Sequence, residues 1–324
     1  MGREQQMHNY TKDQDKSDVM IKFDRVTKKY RGLTVVDHIS FEVYRGEICG
    51  FLGPNGAGKT TSLRMLLGLL RPTSGRIEVQ GTDVHRNAPA ALDGVGAIVE
   101  ESRFYPYLSG EQNLRQALRL RNLDITETAI EERLEAVGLK EARSRRVKGY
   151  SLGMRQRLAL ALALLQDPVI LVLDEPMNGL DPTAMREFRL HLLQLSQSGV
   201  TVLLSSHILS EVEQLATRLV FINHGHIVGI EDLRTDQAAQ AYIRCAEPKR
   251  LGAWFDTRNI EAEATEDGGY RLHLERAEDM ASLIRRLVHD GMDILEARPY
   301  KENLERQYMD RMAITEKETQ NVEA

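Results

Sequence analysis

Three groups of residues in this chain have types and spacings that could do chemistry on a phosphate: Gly53 to Thr60, the pair Asp174 and Glu175, and His207. The first group reads Gly53-Pro54-Asn55-Gly56-Ala57-Gly58-Lys59-Thr60 and is followed by Thr61. It fits the pattern G-x-x-x-x-G-K-[ST]. Glycines let backbone N–H groups turn inward around phosphate oxygens. A helix starting behind them adds its N-terminal dipole to the same anion. Lys59 can then reach the outer phosphates, and the Thr60 hydroxyl can ligate Mg²⁺. A chance glycine turn is the alternative. The order around the octapeptide argues against it: an apolar strand pattern, Glu47 to Leu52, comes before, and a helix pattern, Thr61 to Leu67, comes after.

Asp174 and Glu175 follow the apolar run Val169-Ile170-Leu171-Val172-Leu173. A carboxylate at the end of a buried strand, beside a phosphate loop, can hold Mg²⁺ directly or through water. The adjacent Glu175 can polarise a water in line with the γ-phosphate, a role that contributes about 10²–10⁴-fold in rate. Without the octapeptide, these acids would read as the start of a turn at Pro176. Ser205-Ser206-His207 follows the next apolar run, Val200 to Leu204, in the same way. Strand ends on one edge of a parallel sheet converge on one crevice, which places His207 to touch the γ-phosphate or the attacking water. The other histidines show no ligand spacing, and no zinc site is expected.

The elements that must position these groups read as an α/β core. Strand patterns begin at Val19–Phe23 and Ile39–Val43, and Ile77–Val79 alternates like a half-buried strand. The runs 169–173 and 200–204 are apolar on both faces, as central strands covered by helices are. From about Ser109 the pattern turns helical, with amphipathic stretches at Gln112–Leu118 and Ala129–Leu134. This is a nucleotide-binding core over 19–235 with an α-helical insert at about 103–165. Residues 236–313 read as a small C-terminal α+β domain: strands at Ala241–Cys245, Tyr270–Leu274 and Ile294–Ala297, helices at Asp279–His289 and Leu304–Met312. The ends, 1–18 and 314–324, are polar and read as loose tails.

Composition narrows the class. With 324 residues, 42% apolar and 28% charged, the chain reads as a globular protein with one large domain and one small. A net charge of −5 argues against a general nucleic-acid coat. Two distant cysteines, Cys49 and Cys245, fit a reducing compartment. No signal peptide is visible. The longest apolar tract, Leu158 to Leu173, is split by Gln166-Asp167-Pro168 into pieces too short to span a bilayer. The basic run Arg143, Arg145, Arg146 and Lys148 reads as a solvated face or a contact surface.

Over about residues 19–232 the chain resembles the ATPase subunit of an ATP-binding-cassette (ABC) transporter. The resemblance implies a P-loop NTPase cassette binding ATP and Mg²⁺. Gly53-Pro54-Asn55-Gly56-Ala57-Gly58-Lys59-Thr60-Thr61 stands as its phosphate loop, and Asp174 with Glu175 as its Mg²⁺ ligand and catalytic acid. Tyr30 falls where the family stacks an aromatic ring on adenine, with Val36 nearby on the nucleotide face. Tyr150-Ser151-Leu152-Gly153-Met154 occupies the place of the family's LSGGQ signature. Gly179-Leu180-Asp181 matches the loop that crosses the dimer interface, and His207 the switch histidine. Ser151 and Gly153 precede a helix pattern, which makes an anion site with no phosphate of its own. In the family that site closes on the ATP of a second cassette. The resemblance therefore implies a dimer, of two copies or with a related chain. It also implies an integral membrane permease as partner, no nucleic acid, and a cytoplasmic location held at the inner face of the cell membrane through the permease.

Two departures from the family pattern stand out. The signature carries Leu152 and Met154 in place of Gly and Gln. Aligned on Tyr105-Pro106, the family's Mg²⁺-contacting Gln falls on Glu100. A carboxylate can also ligate Mg²⁺, so Glu100 is a candidate ligand or coupling residue, with a solvated loop acid as the alternative. Both departures resemble the bacitracin and lantibiotic self-protection exporters, which implies a role in antibiotic resistance. Two other readings are a soluble cassette ATPase acting on nucleic acid or ribosomes, and a non-hydrolysing interaction subunit.

Overall fold

The computed structural model describes residues 18–99, 103–120, 126–233, 239–265, 267–274 and 279–300. Glu100, the expected helix at 304–312 and nearly all of both expected tails lie outside the described residues. The contacts divide the chain into two compact units, Met1–Glu231 and Asp232–Ala324.

Among the described residues, the first unit holds two sheets. One is antiparallel, in the order β2-β1-β4-β5, from β1 (Val19–Tyr30), β2 (Leu33–Tyr44), β4 (Ser74–Val79) and β5 (Thr82–Asp83). The other runs β10-β9-β3-β8-β7-β6, from β3 (Ile48–Leu52), β6 (Val95–Ile98), β7 (Ile170–Leu173), β8 (Thr201–Ser206), β9 (Arg218–Asn223) and β10 (His226–Asp232). Its pairings β9-β3-β8-β7-β6 are all parallel. Every residue of β3, β7 and β8 is buried, as central strands require. Phe23 of β1 stacks on Phe41 of β2 at 4.5 Å, and Phe41 on Phe51 of β3 at 5.3 Å. These three rings lock the antiparallel sheet onto the strand that feeds the phosphate loop.

β1 runs seven residues beyond the apolar run that announced it, over charged Lys28 and Lys29. An antiparallel strand with one wet face can carry them. Strands β6, β9 and β10 had no counterpart in the sequence reading. Of these, β9 is an apolar run, Leu219 to Ile222, pressed against β3.

The helical part contains α3 (Gly110–Leu120), α4 (Glu127–Ala136) and α5 (Leu152–Ala163), which pack on one another. Ser109 and Gln112 form a reciprocal cap that starts α3. Gln112 N–H donates to Ser109 Oγ at 3.1 Å, and Ser109 N–H donates to Gln112 Oε1 at 2.9 Å. From the basic run, Arg143 pairs with Glu131 of α4. Among the described residues, the remaining α-helices of this unit are α1 (Lys59–Leu66), α2 (Ala88–Ala91), α6 (Pro182–Gln197) and α7 (Leu209–Val212).

The second unit runs β11 (Ala239–Cys245), α8 (Pro248–Asp256), β12 (Ala262–Ala264), β13 (Tyr270–Leu274), α9 (Asp279–His289) and β14 (Ile294–Tyr300). Its antiparallel sheet has the order β12-β13-β11-β14, the split βαβ arrangement. Ala241, Ile243 and Cys245 of β11 form its core with Leu251, Trp254 and Phe255 of α8 and Leu283 and Leu287 of α9. The sequence reading had no counterpart for α8, although Leu251, Trp254 and Phe255 have helical spacing.

Asp267 gives this unit a pH signature. Hydrogen bonds from the Thr265 hydroxyl, and then from the Tyr242 hydroxyl, hold its carboxyl down to about 2 from an ordinary 3.8. A depressed carboxyl stabilises the fold fully above its unfolded value and loses that contribution as pH falls through its folded value. The unit should therefore lose stability as pH drops from about 4 towards 2. Tyr242→Phe should shift the Asp267 titration upward, read by carboxyl-carbon NMR. An unchanged titration would remove Tyr242 as a cause.

Candidate active site

The crevice forms where β3, β7 and β8 end side by side. In register, Leu52 of β3 faces Ser206 of β8, and Leu173 of β7 faces Leu204. Gly53 N–H donates to Ser206 O at 3.3 Å, and Asp174 N–H to Ile98 O at 2.8 Å. The loop, the acid pair and His207 therefore leave the sheet at neighbouring strand ends, as their spacing predicts.

The loop needs its glycines. Gly56 and Gly58 have φ of 83° and 105°, a region that side chains disfavour. A Cβ on Gly53 would lie 2.2 Å from the backbone oxygen of Ile222. Gly53→Ala should force β3 and β9 apart locally and cost about 1–3 kcal/mol, the usual range for overpacking. The check is thermal unfolding together with nucleotide binding. A variant as stable and as tight-binding as the parent would show that the loop yields freely. Gly58 is the N-cap of α1, and no side chain caps that helix end. Its N-terminal donors face the loop as an anion cradle.

Lys59 is 5% exposed. Its ammonium donates to Gly53 O at 2.6 Å and Pro54 O at 3.2 Å. It also pairs with Glu175 Oε1 at 3.1 Å. Glu175 Oε2 lies 2.8 Å from His207 Nδ1. One carboxylate thus joins the loop lysine to the strand-end histidine. Glu175 itself has φ 48°, an uncommon conformation for a residue with a side chain. Thr60 and Thr61 are half-buried, and Asn55 is exposed.

The donors for a cation are the Asp174 carboxylate and the Thr60 hydroxyl. Both are hard oxygens, which fits Mg²⁺; that ion usually takes one or two protein oxygens and completes its shell with phosphates and water.

Tyr30 ends β1, is 43% exposed and has Lys28 Nζ 5.0 Å from its ring centre. It is available for stacking. Val36 is different. It is fully buried, and a Cβ on Gly58 would lie 3.1 Å from its Cγ2. Val36 supports the loop from beneath instead of offering a face to a nucleotide. Its alternating place in a half-exposed strand hid this.

Ser151 caps α5 and accepts from Met154 N–H at 3.2 Å. Gly153 lies against α6, where an added Cβ would come 2.8 Å from Ala184 Cβ. Asp181 caps α6 by accepting from Ala184 N–H at 2.9 Å. The signature and the Gly179–Asp181 loop therefore form one corner. None of the contacts described for Ser151, Gly153 or Asp181 involves the phosphate loop.

Comparison with known proteins decides the family. The family model described as ABC transporter matches residues 36–178. A Bacillus subtilis (strain 168) ABC transporter ATP-binding protein, YhcH, uncharacterized, is 36% identical over 93% of this chain and 99% of its own. The chain belongs to the ABC transporter ATP-binding proteins. The bacitracin transport ATP-binding protein BcrA of Bacillus licheniformis is 36% identical over 88% of this chain and 95% of its own. Among solved structures, an ATP-binding subunit of an ABC transporter is 28% identical with a TM-score of 0.59. It covers 66% of this chain and 90% of that one.

This ABC cassette is accordingly an ATPase whose hydrolysis is coupled to transport. The readings as a nucleic-acid or ribosome ATPase and as a non-hydrolysing subunit give way to it. No helix among the described residues is long and apolar enough to cross a membrane.

Proposed function

We propose that two copies of this cassette, or one copy and a related chain, close on ATP and drive an integral membrane exporter of an antimicrobial peptide, an antibiotic or another hydrophobic cargo. The observation that carries this reading is the contiguous chain Lys59–Glu175–His207 at the mouth of the phosphate loop. In the cycle, the loop amides and Lys59 hold the phosphates. Glu175 accepts a proton from water as its oxygen attacks the γ-phosphorus, and the bond to the β-phosphate oxygen breaks. ADP and phosphate leave. His207 orients Glu175 through the 2.8 Å contact. Thr60 and Asp174 would hold Mg²⁺, which would offset phosphate charge during transfer.

Ser151 and Gly153 would complete the site of the facing copy, because their corner makes no described contact with its own loop. ATP then contacts both halves, and hydrolysis removes that differential contact, so the pair reopens. Glu100 would serve as a Mg²⁺ ligand or coupling residue. The cassette would sit in the cytoplasm, held at the membrane by its permease, with no nucleic acid involved.

The relative named for bacitracin transport motivates the test of cargo. The cassette is co-expressed in a bacitracin-sensitive host with any integral membrane protein encoded beside it. Raised tolerance that disappears with Lys59→Ala is the expected result. Robust ATP turnover with no change in tolerance to bacitracin or lantibiotics would overturn the cargo assignment. Failure to co-purify any integral membrane protein would overturn the permease.

A further inference from the structure

Ser205 is fully buried in β8, two residues before His207. Its hydroxyl does two things at once. It donates to Asp174 Oδ1 at 2.6 Å and accepts from Glu175 N–H at 2.9 Å. Both partners sit just past β7, in the pair that carries the cation and water chemistry. A buried hydroxyl in an apolar strand costs about 1–3 kcal/mol unless bonded. This one is bonded on both sides, and one bond is charge-assisted and short.

The consequences are directional. Fixing Oδ1 of Asp174 sets the plane of its carboxylate and therefore the aim of Oδ2. Accepting from the Glu175 amide steadies a residue held at φ 48°. The same hydroxyl thus couples the orientation of one acid to the backbone of the next. Its neighbour Ser206 does neither. Its hydroxyl accepts from Ile208 N–H at 3.0 Å and shapes the turn beyond His207.

We propose that Ser205 is a positioning residue that holds Asp174 aimed at the nucleotide-bound cation and Glu175 placed for water attack. The proposal rests on the assignment of Asp174 and Glu175 to the ATP site. Its signature is a specific loss: cation-dependent behaviour should weaken while cation-free nucleotide binding stays. A merely structural serine would weaken both together.

The test uses the full chain and three variants: Ser205→Ala, Ser205→Cys and Ser205→Thr. Cysteine fills the volume with a weak donor, and threonine keeps the hydroxyl. Binding of a fluorescent trinitrophenyl ATP is measured first in EDTA, then with Mg²⁺ titrated in, alongside turnover. Ala and Cys should keep binding in EDTA within about twofold. Each should need about tenfold more Mg²⁺ for half of the cation-dependent change, the factor expected from losing about 1.4 kcal/mol of aim. Their turnover number should fall by a similar factor, and Thr should stay near the parent.

An unchanged Mg²⁺ midpoint in Ala and Cys overturns the proposal. So does a Thr variant that shifts as far as Ala, or equal losses in EDTA and in Mg²⁺. If Ala unfolds, Cys still decides between these results. If the parent itself neither binds nor hydrolyses ATP, the site assignment fails instead, which separates the two.

Discussion

Lys59→Ala should reduce ATP turnover by roughly 10²–10³-fold or more, the range for removing one preorganised charge from a transition state. In this protein Lys59 is 5% exposed, and its ammonium is held between two loop carbonyls and Glu175. Those contacts keep its charge inside the loop and aimed at the crevice. A triphosphate would compete for it and draw it away from Glu175, so phosphate binding and release of the acid are linked. Truncation removes the attraction to the outer phosphates and takes the Lys59 donor from Gly53 O and Pro54 O, of which Pro54 O keeps the Ala57 N–H at 3.2 Å. Nucleotide affinity should therefore fall as well, with ADP hurt less than ATP because the γ-phosphate is the distal target of Lys59. Steady-state turnover and equilibrium binding of both nucleotides check this. Turnover within a few-fold of the parent would remove Lys59 from the chemistry. The fold should survive, because the helix behind the loop is anchored by the buried side chains of Leu63, Met65 and Leu66.

The parts of this site that were legible in the sequence share one property: their chemistry demands fixed residue types at strand ends. The octapeptide, Asp174, Glu175 and His207 all have it, and β7 and β8 announced themselves by being apolar on both faces. Helix α9 was legible over its full length because Met280, Leu283, Ile284 and Leu287 mark one face. What the sequence hid is long-range. Nothing local shows that Lys59 touches Glu175, or that Val36 lies under Gly58. The rings of Phe23, Phe41 and Phe51 meet only after two sheets form. Ser205 stood in the sequence only as the start of Ser205-Ser206-His207. A hydroxyl buried near the end of β8, next to Ser206, raises the question of what satisfies it. The answer lies on β7, and only the sheet register supplies it.

Glu175→Gln should bind ATP and fail to turn it over, with a loss of about 10²–10⁴-fold, the range for a positioned acid–base group. The substitution keeps the shape of the side chain and removes its proton-accepting charge. Three contacts make this a sharp test here. Lys59 would lose its ionic partner at 3.1 Å and keep its bonds to Gly53 O and Pro54 O. The ammonium would then be freer for phosphate, so ATP affinity should hold or rise. The His207 contact at 2.8 Å would become an ordinary hydrogen bond to an amide. The Glu175 amide would still donate to Ser205 Oγ, so the strained backbone stays in place. Binding without hydrolysis should leave the closed pair without a route to reopen. Light scattering should then show dimer accumulating with ATP and Mg²⁺ in Glu175→Gln, but only transiently in the parent. Substantial hydrolysis by the variant would remove Glu175 as the catalytic base. A variant that binds ATP, does not hydrolyse it and stays monomeric would keep the chemistry and refute the composite site. The two halves of the reading therefore fail separately, because the first depends on Glu175 and Lys59 and the second on Ser151 and Gly153.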